Sequence, residues 1–303
     1  MLTLAIDSYL ALRRACGFSL TVPGSLLHGF ARFATERSET HVRRQTAIEW
    51  AAQAPSPAQR ERRLGLVRQF AAHVRAEDPL HERIPWHVFA HARRRPLPYL
   101  FSDHEVQQLL AATTRLRPRR SLRPLTYYTL FGLVACTGLR ISEALHLALA
   151  DITADGLVVR ETKFRKTRLV PVHDTTAAAI DRYLARRSAV ARGEPRIFVA
   201  TTGRPLTYPM VNGTFHFLLR FVDLRPAIGT YAPRIHSLRH GFAVRALERA
   251  AGDRLRIGQE VLALSTYLGH AHVADTYWYL HATPYLMRSI ADACAARGTG
   301  GTR

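Results

Sequence analysis

Ala135-Cys136-Thr137-Gly138-Leu139-Arg140-Ile141-Ser142-Glu143-Ala144-Leu145 is the stretch on which the reading of the fold turns. Apolar spacing predicts one helix over about 121–137 and another over about 140–148, so an arginine stands at the opening of the second, just past a break. Beyond it the pattern changes to strands. Gly156-Leu157-Val158-Val159-Arg160 and Thr167-Arg168-Leu169-Val170-Pro171-Val172 read as the arms of a hairpin, with the polar, basic residues 161–166 at its tip. Helices resume at about 174–190, 207–222, 236–250, 258–269 and 272–282. The fold class that follows is mainly α with a small β-sheet.

Upstream, residues 1 to about 92 read as four helices. Leu4, Tyr9, Leu10 and Leu12 fit the first, which ends near Gly17; Pro23 opens a second that runs to about Arg37. Thr40 to Gln53 gives a third. Leu64, Leu66, Val67, Phe70 and Val74 mark a fourth after Pro55-Ser56-Pro57. The basic, proline-stiffened run Arg93-Arg94-Arg95-Pro96-Leu97-Pro98 then breaks the pattern, and Ser102 with Glu105 reads as the capping box of a fresh helix. The predicted organisation is therefore a helical domain over 1–92, a linker over 93–98, and a mixed α/β domain over 99–303 with a flexible, Gly-rich tail.

Charge narrows the function. The chain carries a formal net charge of +20 with pI near 11.0, which points to a polyanionic partner. Lys163 and Lys166 are two of the 43 basic Lys and Arg residues, leaving 41 arginines. A genomic bias can exchange Lys for Arg, but it does not raise net charge. Where arginine has replaced nearly every lysine, a surviving lysine suggests work that needs a removable proton. No apolar run is long enough for a membrane span, and the N-terminus reads as an amphipathic helix and not as a signal peptide. Cys16, Cys136 and Cys294 are odd in number and far apart, which suggests a reducing cytosol and small buried side chains.

Two further segments hold chemistry-bearing residues: His236-Ser237-Leu238-Arg239-His240, and Leu268-Gly269-His270 followed nine residues on by Tyr279. At helical pitch His236, Arg239 and His240 share an arc of roughly 100°, with Leu238 and Phe242 on the opposite face. Taken in this order and spacing, the 135–145 stretch, the hairpin and these two segments resemble the tyrosine recombinase (phage integrase) family. The resemblance covers about residues 98–285; residues 1–92 fit the family's core-binding, DNA-clamping domain more loosely.

The resemblance implies a set of roles. Arg140 and Arg239 match the pair that clamps the non-bridging oxygens of the scissile phosphate, a type of donor worth roughly 10²–10³ in rate each. His236 matches the histidine placed to hydrogen-bond that phosphate or assist proton transfer. Tyr279 matches the nucleophile. A phenol with pKa near ~10 needs cationic neighbours, which His270 and the two arginines are expected to supply. Tyr277 and Tyr267 are rivals, but only Tyr279 has the family's spacing, and Tyr277 falls about 200° around the helix from it. Lys163 matches the hairpin lysine that protonates the leaving 5′ oxygen; Phe164 stands where many relatives carry Gly. Glu143 is expected to support the Arg140 segment, and His240 to support the core. Phosphate contacts are expected from Lys166, Arg165, Arg168, Arg93, Arg94 and Arg95.

No cofactor is implied: there is no P-loop, His270 and His272 lack a third ligand at plausible spacing, and a phosphotyrosine stores the energy needed for religation. The implied partner is double-stranded DNA with inverted half-sites. The family assembles as a dimer on one site and as a tetramer in synapsis, passing through a Holliday junction in the cytoplasm, with accessory proteins in some systems. Its two domains close on opposite faces of the duplex, and the segment after Tyr279 docks on a neighbouring protomer. A type IB topoisomerase and an inert DNA-binding protein are the alternative readings.

Overall fold

The computed structural model describes residues 2–89, 98–160, 167–224, 226, 231–249, 254–270, 272–280 and 288, the side chains of 254–256 apart. The chain divides into two compact units, 1–95 and 96–303.

The first unit is a four-helix assembly: α1 (Leu2–Ala15), α2 (Thr21–Thr35), α3 (Arg44–Ala52) and α4 (Pro57–Val74). Its core is built from the apolar residues that recur at helical spacing, Ile6 and Leu10 from α1, Phe30 from α2, and Leu64, Val67 and Phe70 from α4. Trp50 of α3 meets Phe30 edge-on at 5.6 Å between ring centroids. At the start of α4, Ser56 accepts a hydrogen bond from Gln59 N–H (3.3 Å) and Pro57 fills the first turn.

Helix α3 begins four residues later than its apolar periodicity predicts. The cause lies 38 residues downstream, where the Glu82 carboxylate accepts the Arg44 backbone N–H at 2.8 Å and caps the helix. Thr40 to Val42 are engaged in a clasp: the Val42 N–H donates to His81 Nδ1 (3.0 Å), and His41 Nε2 bonds Asp78 (2.9 Å). The trio His41, Asp78 and His81 has the proximity of a metal site. Its hydrogen bonding argues otherwise, because occupation of His81 Nδ1 as an acceptor leaves the proton on Nε2, the atom that would have to ligate.

The second unit starts with α5 (Asp103–Thr113), closed at its N-terminus by the expected Ser102–Glu105 capping box. Helix α6 (Arg123–Thr137) runs through its middle and is buried on most sides, with Tyr127, Leu130, Phe131, Leu133 and Val134 all in the core. It ends at Gly138 and is followed by α7 (Ile141–His146). A three-stranded antiparallel sheet comes next: β1 (Ile152–Thr153), β2 (Gly156–Val159) and β3 (Arg168–Val170), in the order β1-β2-β3. Leu157 pairs with Val170 and Val159 with Arg168, so the predicted hairpin stands in register. The first strand is an addition to the sequence reading. Its two residues are too few for a periodicity, although Asp155-Gly156 is a hairpin signal.

Helices α8 (Asp174–Ala191), α9 (Tyr208–Phe221), α10 (Ile235–Glu248), α11 (Arg254–Leu268) and α12 (Ala274–Leu280) complete the unit. A separate apolar cluster joins the last three, through Ala243, Val244, Leu247, Val261, Leu264, Leu268 and Tyr279. The expected face pattern of α10 needs correction: Ser237, Leu238, Arg239 and Gly241 are all buried, so this helix is enclosed nearly all round. Cys16 and Cys136 are exposed, not buried as their residue type suggested. Among the described residues no helix is long and apolar enough to cross a membrane.

Candidate active site

Arg239 organises the site. It is 1% exposed, yet among the described residues no carboxylate bonds it directly. Its Nη1 donates to the Gly138 carbonyl (2.6 Å) and its Nη2 to the Leu268 carbonyl (2.8 Å). Those carbonyls belong to the C-terminal ends of α6 and α11, where backbone acceptors have no partner within the helix and the helix dipole is negative. Two helix ends therefore solvate one buried cation. Burial, and then the charge of Arg140, lowers the Arg239 pKa to about 10, so the guanidinium stays charged at neutral pH.

The turn at Gly138 makes this possible. Its φ of 63° is left-handed, and a Cβ there would lie 2.5 Å from Phe242 Cδ1. Glycine ends α6 and brings the carbonyl within reach of Arg239 in one step.

Arg140 is the residue that opens α7, as expected. Glu143 accepts from both its backbone N–H (2.9 Å) and its Nη1 (2.7 Å), and Nη2 reaches the Gly269 carbonyl at 3.4 Å. A quarter of its side chain remains exposed, which leaves donors open to a substrate. Glu143 also takes both Arg168 guanidinium nitrogens (3.2 and 2.8 Å), while Arg168 Nε donates to the Tyr267 carbonyl (2.8 Å). Arg168 was expected on DNA phosphates. It is instead turned inward at the base of β3, tying the sheet to α7 and to the end of α11. Two guanidiniums thus share a single carboxylate, a cationic excess suited to an incoming phosphate. Burial pushes the Glu143 pKa up, but hydrogen bonds from Arg168 and Arg140 outweigh it, and the net shift is downward.

Replacing Glu143 by Gln leaves this cation pair uncompensated. The expected loss of stability is about 3 kcal/mol, read as a lower urea midpoint, and cleavage should fall with it because Arg140 loses its anchor.

The histidines are neutral. An arginine can only donate, so the 3.1 Å contact between Arg239 Nη2 and His270 Nε2 requires a lone pair on Nε2. The proton of His270 then sits on Nδ1, which faces Thr276 Oγ1 at 2.7 Å. Burial, then Arg239 and Arg140, pushes the His270 pKa down to about 4. His270 is therefore not one of the cations expected beside the tyrosine; the arginines fill that role. His236 keeps an exposed edge, yet crowding by its neighbours and then the same two arginines lower its pKa to about 4. Its ring meets that of His240 edge-on at 4.4 Å. Burial lowers the pKa of His240 to about 3, and its buried Nδ1 has no hydrogen-bond partner among the described residues.

A pH dependence follows. Folded pKa values near 3 to 4 lie below the ordinary histidine value of 6.5, so the unfolded chain binds more protons in between. The stability that these neutral histidines contribute is complete above about pH 6.5 and is lost as pH falls towards 4. Thermal melts at pH 7.5 and 5.0 should show a lower Tm at pH 5.0, with His240→Asn reducing the difference.

Tyr279 is 3% exposed and packs among these rings, 5.5 Å from His240 and 6.1 Å from His270 in a near-parallel stack. Burial raises its pKa, and Arg239 and Arg140 pull it back only partly. In this state it is a neutral phenol and not the phenolate-like group expected. Tyr277 points the opposite way and is 52% exposed. Tyr267 stacks on Phe242, and burial lifts its pKa to about 12.

The structure thus brings Arg140, His236, Arg239, His270 and Tyr279 together, with Glu143 and His240 beside them. Lys163, Arg165, Lys166, Arg93, Arg94 and Arg95, and the segment after Leu280 apart from residue 288, lie outside the described residues. Sequence reasoning missed Thr276. Its signal was available, since a residue three before Tyr279 shares its helix face.

Together these groups can hold a phosphodiester between two guanidiniums beside a tyrosine hydroxyl, which is the equipment of a strand-transferring enzyme. A sequence profile described as "Phage integrase family" matches residues 100–285. Over 298 residues the chain is 40% identical to "Putative integrase/recombinase y4rB" of Sinorhizobium fredii, covering 94% of each. Over 238 residues it is 34% identical to the tyrosine recombinase XerD of Caulobacter vibrioides, covering 75% of this chain and 71% of that one. Its fold is similar to the Tn1549 transposon integrase in complex with transposon right end DNA, with TM-score 0.69, 16% identity, and coverage of 97% of this chain and 99% of that one. It is also similar to a lambda integrase from a tetramer bound to a Holliday junction, with TM-score 0.65, 15% identity, and coverage of 91% and 76%. This chain belongs to the phage integrase family of tyrosine recombinases, enzymes that cleave and rejoin DNA strands.

Proposed function

We propose that this protein is a site-specific recombinase that exchanges DNA strands through a 3′-phosphotyrosine formed at Tyr279. The observation that carries the reading is the convergence of Arg140, Arg239, His270 and Tyr279 on one another. Arg140 and Arg239 hold the non-bridging oxygens. The Tyr279 oxygen attacks phosphorus, its proton passing to a neighbouring base; the P–O5′ bond breaks, and the 5′ oxygen leaves with a proton from Lys163. A 5′-hydroxyl from the partner strand then reverses the sequence, so the bond energy is kept and neither ATP nor metal is consumed. His236, with its exposed edge, donates to the phosphate once a bound anion raises its pKa.

The first unit clamps the duplex, helped by Arg93, Arg94 and Arg95, while Arg165 and Lys166 contact phosphates at the hairpin. Two protomers occupy inverted half-sites, and two such dimers synapse as a tetramer that passes through a Holliday junction. The enzyme works in the cytoplasm, on nucleoid DNA, with accessory proteins where directionality demands them.

The test is covalent trapping on a nicked suicide duplex carrying the native site, in EDTA, resolved on a denaturing gel. A shifted protein–DNA band supports the reading. A strict metal requirement, or tight site-specific binding without any covalent band, would sink it. Recombinant products from a two-site plasmid distinguish the enzyme from a monomeric relaxing topoisomerase.

A further inference from the structure

We infer that Thr276 is a positioning residue for the strand-cleavage reaction: by accepting a hydrogen bond from His270 Nδ1–H, it fixes that histidine's tautomer and ties its ring to the helix that carries the nucleophile. The inference rests on the reading of Arg239, His270 and Tyr279 given above, and deepens it.

The geometry leaves little freedom. His270 has a partner at each ring nitrogen, Arg239 Nη2 at 3.1 Å on Nε2 and Thr276 Oγ1 at 2.7 Å on Nδ1. A guanidinium has no acceptor, so Nε2 carries the lone pair and a neutral ring must protonate Nδ1. Thr276 is fully buried, so no bulk water replaces its oxygen if it is removed. It lies on α12 one turn before Tyr279, and the two side chains share that helix's buried face.

A ring held in this way presents Nε2 towards Arg239, the guanidinium that receives the scissile phosphate. When the phosphate draws Arg239 to itself, Nε2 is already aimed to take a proton or, once protonated, to donate to a phosphate oxygen. An oxygen accepting from Nδ1–H makes Nε2 more basic and fixes the ring plane. Because that oxygen belongs to α12, any displacement of the nucleophile helix moves the histidine's anchor with it. Arg239, His270 and Tyr279 then share one frame.

Thr276→Val keeps the shape and removes the acceptor; Thr276→Ser keeps the acceptor. The full-length wild type and both variants are compared on the suicide duplex at saturating protein, across pH 5 to 9, with affinity read separately by fluorescence anisotropy. Thr276→Val is expected to slow covalent adduct formation about tenfold at unchanged affinity. It should also move the histidine-controlled limb of the pH–rate profile to lower pH, because the imidazolium loses an acceptor. Thr276→Ser should restore both. Equal impairment of Val and Ser with an unmoved profile, or a Val variant as fast as wild type, overturns the inference.

Nitrogen-15 NMR of the DNA-free protein gives an answer independent of catalysis. The His270 resonances, assigned by their loss in His270→Gln, should show a protonated Nδ1 and a bare Nε2. The opposite tautomer overturns the inference even if cleavage behaves as expected. A wild type that binds its site but forms no adduct overturns the reading of Tyr279 instead, and the NMR result then decides the role of Thr276.

Discussion

Tyr279→Phe is expected to abolish the covalent protein–DNA species while leaving folding and DNA affinity unchanged. The ring is what packs: it lies 5.5 Å from Trp278 and from His240, and its neighbours in the last cluster are aliphatic. Phenylalanine preserves all of these contacts and removes only the oxygen. Without a nucleophile, strand cleavage should fall by at least about a thousandfold, to the background of the assay. Tyr277→Phe is the matched control. That residue is exposed on the opposite side of α12, away from both guanidiniums, and its variant should cleave at the wild-type rate. A covalent band that survives in Tyr279→Phe and disappears in Tyr277→Phe would reverse the assignment. Since burial holds Tyr279 protonated, the phenol needs a base at the moment of attack, and His270 Nε2 carries a lone pair in the same cluster.

Arg239→Lys should be nearly as damaging, for two separable reasons. A single ammonium cannot span the Gly138 and Leu268 carbonyls and also reach His270, as the planar guanidinium does. Loss of the bidentate phosphate donor should slow cleavage by about 10²–10³. A buried carbonyl left without its donor costs a further ~1–3 kcal/mol of folding stability, visible as a lower urea midpoint. Arg140→Lys provides the contrast. That side chain is a quarter exposed, and Glu143 retains Arg168 as a partner, so cleavage should drop with a much smaller change in stability. Equal stability losses in the two variants would contradict the structural role given to Arg239.

The sequence made legible what depends on neighbours in the chain. The helix ending at Gly138, the arginine opening α7, the Ser102–Glu105 cap and the pairing of β2 with β3 all arise between near neighbours in the chain, and their spacing announces them. What stayed hidden depends on distant partners. Arg168 reads as one basic residue of a basic hairpin until Glu143, 25 positions earlier, turns its side chain inward. The start of α3 is set by Glu82, 38 positions away. Arg239 was recognisable by motif, but its burial between two helix ends comes from carbonyls 101 and 29 positions distant. The neutral state of the histidines and of Tyr279 follows from desolvation, a property of packing that residue types do not carry. Thr276 lies between these cases, since its place on the Tyr279 face was readable and its partner was not.

The junction at Arg239 has a consequence for when the protein can act. A nuclease whose cutting groups were displayed on a preformed surface could act while the rest of the chain was still incomplete. Here the cation proposed to hold the phosphate is also the one that joins the ends of α6 and α11, so the proposed centre is assembled only when those helices have met. A nascent, frayed or damaged copy loses this arrangement in the same event that loses its tertiary structure.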